Sequence, residues 1–152
     1  MPSTPATAPD PTASPSAEAA LRERGIRVTA SRVAVFTAVD ENPHASADAV
    51  AGIVRSRLGA VSTQAVYDAL ALFTKLGLVR RTEPAGSSAR YETRVGDNHH
   101  HITCRRCGAI ADVDCLHGTA PCLLPPQTHD YVIDEAEVIY WGMCPVCQQN
   151  PV

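Results

Sequence analysis

The stretch Ser62-Thr63-Gln64-Ala65-Val66-Tyr67-Asp68-Ala69-Leu70-Ala71-Leu72-Phe73-Thr74-Lys75-Leu76-Gly77, followed at once by Leu78-Val79-Arg80-Arg81-Thr82, decides the fold. Ser62 is an N-cap residue, and Val66, Leu70 and Phe73 recur at helical spacing on one face. Gly77 supplies the stop. The period then changes: Leu78–Thr82 reads as a strand, Glu83–Ser88 as a turn, and Ala89–Thr93 as a second strand. A helix feeding directly into a hairpin is the closing part of a winged helix-turn-helix.

The upstream chain supplies the other helices. Glu18–Arg24 reads as a short helix stopped by Gly25. Thr29 caps a second helix that turns Val33, Phe36 and Val39 inward and ends near Asn42-Pro43. Ser46 caps a third, with Val50, Ile53, Val54 and Leu58 on one face and Gly59 closing it. Residues 1–17 hold five of the twelve prolines among Ala, Ser and Thr, a composition that predicts a disordered tail. The organisation expected is therefore a tail over 1–17, a winged-helix DNA-binding domain over 18–94, and a hinge at 95–98 around Gly96-Asp97-Asn98. A small α/β dimerisation and metal-binding domain over 99–152 completes an α+β chain. Within this last part His100–Asp114 and Tyr131–Tyr140 read as strands, joined by a Pro-rich connector at 115–130.

The formal net charge of −3 seems to argue against nucleic acid, but it is a sum of unlike parts. Residues 20–94 hold eleven Lys/Arg against seven Asp/Glu, whereas residues 95–152 hold two against seven. All six cysteines and five of six histidines lie in the acidic part. A basic half that can meet phosphate is thus joined to an acidic half that collects cations. No secretory leader and no apolar run of membrane-spanning length is present, so the cytoplasm is the expected compartment and no membrane partner is expected.

In the basic half, Thr63, Gln64, Tyr67, Asp68 and Lys75 form the outer stripe of the last helix. Gln64 suits an adenine edge, and Tyr67 can reach a phosphate or a thymine methyl. Arg32 on the second helix and Arg80, Arg81 and Arg90 on the wing suit phosphate anchoring.

In the acidic half, Cys104-Arg105-Arg106-Cys107 and Cys144-Pro145-Val146-Cys147 are two C-x-x-C knuckles separated by 36 residues. Four thiolates in two such pairs form a closed tetrahedral structural Zn2+ site. Cys115 and Cys122 stand outside the pairs, without ligand spacing, and read as packing residues or redox thiols. His99-His100-His101 precedes the first knuckle; in an extended chain His99 and His101 share a face and His100 points away. Asp112 on the next strand, Glu92 on the wing and His44 between the second and third helices can complete a nitrogen/oxygen site for Fe2+, Mn2+ or Zn2+. A site drawing on both halves would couple metal occupancy to DNA affinity.

Taken in order, Pro43-His44-Ala45-Ser46-Ala47-Asp48, Ser62-Thr63-Gln64-Ala65-Val66-Tyr67, Ala89-Arg90-Tyr91-Glu92, His99–Gly108 and the second knuckle resemble the ferric uptake regulator (Fur) family. The resemblance spans about residues 20–148 and is nearest to the actinobacterial FurA/CatR-type and PerR-like peroxide-responsive repressors. It implies a homodimeric repressor that binds inverted-repeat double-stranded DNA operators when a divalent metal is bound, the subgroup's usual targets being a catalase-peroxidase gene and its own gene. It implies structural zinc at Cys104, Cys107, Cys144 and Cys147, and regulatory Fe2+ or Mn2+ at His44, Glu92, His99, His101 and Asp112. Asp112 stands where iron sensors carry Glu and peroxide sensors Asp, while Glu92 stands where peroxide sensors carry Asp. The three prolines of the connector stand where many members have a helix, so the dimer is expected to rest on strand pairing. A second nitrogen/oxygen site of the family is represented by His100, with His117 and His129 as further ligands.

The alternatives within the same class are an iron- or zinc-uptake repressor without peroxide sensing and a thiol-switch repressor. An enzyme is not expected. A zinc hydrolase or deaminase needs an H-x-E general base and an open zinc position, and a ferrous oxygenase needs a substrate cavity.

Overall fold

The computed structural model describes residues 16–149. Its order is α1 (Ala17–Glu23), α2 (Ala30–Glu41), β1 (Ala45–Ser46), α3 (Ala47–Leu58), α4 (Thr63–Lys75), β2 (Arg80–Thr82), β3 (Arg90–Glu92), β4 (His99–Cys104), β5 (Ile110–Asp114), β6 (Ile139–Gly142) and α5 (Pro145–Gln149). Each of the four N-terminal helices starts where a hydroxyl satisfies an otherwise orphaned amide. Ser16, Thr29, Ser46 and Ser62 accept from the backbone N–H of Ala19, Arg32, Ala49 and Ala65. Gly25, just past α1, takes φ +67°, the left-handed conformation that ends a helix without a Cβ penalty. Residues 1–15, the bulk of the expected tail, lie outside the described residues; Ser16 and Ala17 belong to the start of α1.

The core lies among the four helices. Leu21, Val35, Val39, Val50, Val54, Val66, Leu70 and Phe73 are buried to within 1%. Phe36 meets Phe73 edge-to-face, with ring centroids 6.1 Å apart. Leu58, expected on the inner face, is the last residue of α3 and is 44% exposed.

The wing is a three-stranded antiparallel sheet of order β1-β3-β2 rather than a two-stranded hairpin. Its extra strand is the cap region of α3, with Ala45 opposite Tyr91 and Ser46 opposite Arg90. That pairing carries His44 to the edge of β3, where its N–H donates to the Tyr91 carbonyl at 2.8 Å.

The second sheet has order β5-β4-β6, with β4 antiparallel to β5 and parallel to β6. The expected strand over His100–Asp114 is two strands broken by the first cysteine knuckle. The expected strand over Tyr131–Tyr140 is a correction: residues 131–138 carry no regular structure, and β6 begins only at Ile139. Asp134, Glu135 and Glu137 leave that segment without an alternating apolar face to bury.

Candidate metal centres and nucleic-acid interface

The wing and the second sheet meet around one carboxylate. Glu92 ends β3 and is 2% exposed. Its Oε2 lies 3.0 Å from His44 Nε2, and its Oε1 lies 3.1 Å from His99 Nε2 and 3.2 Å from His101 Nε2. Asp112 is paired with His101 in the β4–β5 register. It places Oδ1 2.8 Å from His44 Nε2 and 3.6 Å from His101 Nε2. The ligating atoms of His44, Glu92, His101 and Asp112 all lie within 4.8 Å of one another, and His99 joins through Glu92. The backbone explains the convergence. The alternation of β4 sends His99 and His101 to one face, and His44, at φ +63°, is held against β3 by its backbone bond to Tyr91.

The electrostatics favour a cation. Burial would push the Glu92 carboxyl up, but hydrogen bonds from His101 and His44 and the field of the imidazoles hold it far below the usual carboxylate range. Burial opposes charge on His44, yet Glu92 and Asp112 together raise its pKa above the ordinary value. Three Nε2 atoms converge on two carboxylates, a donor set that a divalent ion can bridge. Three nitrogens and two carboxylates fit Fe2+, Mn2+ or Zn2+.

Two residues beyond the sequence expectations support this cluster. Asp97, read only as part of a hinge, places Oδ1 2.5 Å from His99 Nδ1. Arg94 donates to Asp97 at 2.6 Å and to Asp114 at 2.6 Å, and reaches the outer oxygen of Asp112 at 3.4 Å. Asp97 was legible in principle, lying two residues before His99 on an extended chain. Arg94 was not, because two of its partners are 18 and 20 residues away.

The sulfur cluster lies at the far end of β4. Cys104, Cys107, Cys144 and Cys147 place their sulfurs within 4.8 Å of one another. Cys107 and Cys144 are 3.6 Å apart, against roughly 3.8 Å for thiolates about 2.3 Å from a tetrahedral zinc. Backbone N–H groups of Cys107, Cys144 and Arg106 draw the Cys104 thiol down to about 6. Burial and the neighbouring sulfurs push Cys147 up to about 12. Such crowding is relieved by a dication that neutralises the set.

His100 faces away from Glu92 and meets Cys115 and Cys122 instead. His117 and His129 are exposed on the connector and join none of the metal-ligating groups among the described residues.

On the basic side, α4 presents Thr63, Gln64 and Tyr67 outward. Arg55 donates to Thr63 at 3.2 Å, Gln64 to Asp68 at 2.7 Å, and the Tyr67 hydroxyl to Asp48 at 3.1 Å. These contacts orient the outer stripe of the helix. Arg32 donates to the Arg27 carbonyl, Arg81 pairs with Glu83, and Arg90 is half-buried beside Gly108. Arg80 is turned inward, towards the His99 carbonyl at 3.4 Å and Glu135 at 3.5 Å.

A winged helix whose wing shares a nitrogen/oxygen cluster with a second sheet, and whose second sheet ends in a four-cysteine cluster, defines a metal-binding transcription regulator. The sequence pattern of the ferric uptake regulator family matches residues 23–117, and the chain belongs to that family. It is 58% identical over 127 residues to the transcriptional regulator FurA of Mycobacterium bovis, covering 84% of this chain and 86% of that protein. More distantly, it is 26% identical over 133 residues to the peroxide-responsive repressor PerR of Staphylococcus epidermidis, covering 87% and 88%. The solved structure of the Francisella tularensis ferric uptake regulator with iron aligns with a TM-score of 0.63 at 20% identity, covering 82% of this chain and 96% of that one. The protein is accordingly a transcription regulator and not an enzyme. Among the described residues no helix is long and apolar enough to cross a membrane.

Proposed function

We propose that the protein is a cytoplasmic, homodimeric repressor that binds inverted-repeat operators when its nitrogen/oxygen site is loaded, and releases them on peroxide exposure. The observation that carries this reading is the five-donor cluster divided between two parts of the chain. His44 and Glu92 come from the winged-helix elements, and His99, His101 and Asp112 from the second sheet. A metal bound by all five favours one angle between those parts, and segment 95–98 is the hinge about which they turn. In that setting α4 offers Gln64, Thr63 and Tyr67 to base edges, and Arg32, Arg81 and Arg90 hold phosphates. Cys104, Cys107, Cys144 and Cys147 would hold the structural zinc.

Ferrous iron bound at the regulatory site would supply one-electron reduction of hydrogen peroxide. His44, His99 and His101 would hold that ion through their Nε2 atoms, and a ring that gained oxygen would cease to be a ligand and break the five-donor set. Asp112, which stands where peroxide sensors of the family carry Asp, supports this reading. The relevant operators are those of a catalase-peroxidase gene and of the regulator's own gene. Glu92, in a position where peroxide sensors carry Asp, favours a second reading, a metal-uptake repressor without peroxide sensing.

The deciding experiment is an operator gel shift with Fe2+ or Mn2+, with and without H2O2, followed by peptide mass spectrometry. Release confined to the Fe2+ form, with oxygen added to peptides carrying His44, His99 or His101, is the expected result. Release with cysteine oxidation alone would overturn the mechanism in favour of a thiol switch. Peroxide-insensitive binding would leave the uptake repressor.

A further inference from the structure

We infer that His100, Cys115 and Cys122 form a third metal site, of mixed imidazole and thiolate character, suited to a thiophilic divalent cation such as Zn2+. The ligating atoms of the three residues lie within 4.8 Å of one another. Cys122 Sγ stands 3.2 Å from His100 Nε2. His100 is 5% exposed, and its other ring nitrogen, Nδ1, is buried with no hydrogen-bond partner among the described residues. Among the described residues the Cys122 thiol is therefore the ring's one hydrogen-bond contact, an arrangement that costs free energy unless the ring has a further task.

The backbone around Cys115 provides a second, independent observation. The N–H groups of His117 and Gly118 donate to the Cys115 sulfur, and Gly118 takes φ +67° to close the turn. In the four-cysteine cluster the N–H groups of Arg106 and Cys107 donate to Cys104 in the same way, and Gly108 closes that turn at φ +71°. Cys115 thus sits in a turn of the kind that presents Cys104, in which amides are aimed at a thiolate. Asn98 donates to the Thr119 carbonyl at 2.8 Å and ties this part of the connector to the start of β4.

The site shares no residue with the other two. Because side chains alternate along β4, His99 and His101 serve the Glu92 cluster while His100 serves the opposite face. Three protein donors leave a fourth tetrahedral position for solvent or an added ligand, unlike the closed four-cysteine cluster. A cation held there would clamp the connector onto β4.

The test uses the reduced full chain, with Zn2+ and Co2+ as probes. Native mass spectrometry counts bound Zn2+ in the parent, in Cys115→Ser/Cys122→Ser and in His100→Ala. The expected result is one ion fewer per protomer in the double variant, with loss of part of the sulfur-to-cobalt charge-transfer absorption and retention of the part from the four-cysteine cluster. Equal ion counts in parent and double variant would overturn the site. If the double variant also loses the four-cysteine bands, it has not folded, and alkylation of the parent decides. Zn2+ should then protect Cys115 and Cys122 from iodoacetamide, and labelling at the same rate with and without Zn2+ overturns the proposal. The inference is independent of the peroxide reading, which fails or holds through His44, Asp112 and the other regulatory ligands.

Discussion

Replacing Asp97 with Ala should weaken metal binding at the Glu92 cluster although Asp97 is not itself a ligand. His99 has a side chain with no exposure; its Nε2 faces Glu92 and its Nδ1 lies 2.5 Å from Asp97. A hydrogen on Nδ1 donated to Asp97 leaves the Nε2 lone pair free for a metal and fixes the plane of the ring. Loss of such an outer partner typically costs 10–100-fold in metal affinity, about 1.4–2.7 kcal/mol. The Asp97 carboxylate is 42% exposed, so water entering the gap would recover part of the bond. The lower end, about tenfold, is therefore expected for Asp97→Ala. Asp97→Asn keeps a carbonyl acceptor and loses only the charge, so it should fall between parent and Ala. Competition with a fluorescent chelator for Mn2+ measures the series. An Ala variant that binds within about twofold of the parent, or an Asn variant weaker than Ala, would refute the tautomer argument.

Other consequences are open to measurement. Phe73→Ala should destabilise the protein by about 3–5 kcal/mol in urea unfolding, because the ring is fully buried and meets Phe36 edge-on; an unchanged midpoint would place the core elsewhere. In EDTA-treated protein, the raised pKa of His44 contributes stability below 6.5 that is lost as pH rises, and the depressed pKa of Glu92 contributes stability above 4.5 that is lost as pH falls. Stability should therefore be greatest between those values, and His44→Gln should flatten the alkaline side; an alkaline loss as steep as the parent's would count against the pairing. On operator DNA, Arg81→Ala should reduce the salt dependence by roughly one counterion, whereas Gln64→Ala should lose about 1–3 kcal/mol of discrimination at one base pair with the salt slope intact. The reverse pattern would exchange the roles given to the helix and the wing.

The parts of the fold legible in the sequence are those set by local chemistry. Ser62 and Thr29 mark helix starts because a hydroxyl meets an amide three residues on, and Gly25 marks a stop because it alone is unstrained at positive φ. Strand β1 was illegible because two residues carry no periodicity; it exists only by pairing with Tyr91 and Arg90. In the site, the faces of His99 and His101 followed from alternation. The partner of His100 did not, since Cys115 and Cys122 have no ligand spacing with each other and reach it only through the fold of the connector. Arg80 read as a phosphate anchor because its charge is visible in the sequence, whereas the Glu135 that turns it inward is 55 residues away.

These observations make β4 the structural hub. Its six residues supply His99 and His101 to one cluster, His100 to another and Cys104 to a third. A shift of one residue in its pairing would exchange the two faces and break the clusters together. The antiparallel partner β5 is linked to β4 by the short knuckle turn, so that register is local. The parallel partner β6 is remote: Cys107 and Cys144 are 37 residues apart, and bringing such ends together costs about 3 kcal/mol in chain entropy. The backbone bonds of β6 oppose that cost over only four residues, from Ile139 to Gly142. A dication on the four cysteines would join the end of β4 directly to the residues after β6 and so close the loop. Zinc held at this position would therefore contribute to the proposed regulatory site at a distance, by holding the strand whose alternation aims His99 and His101 at Glu92.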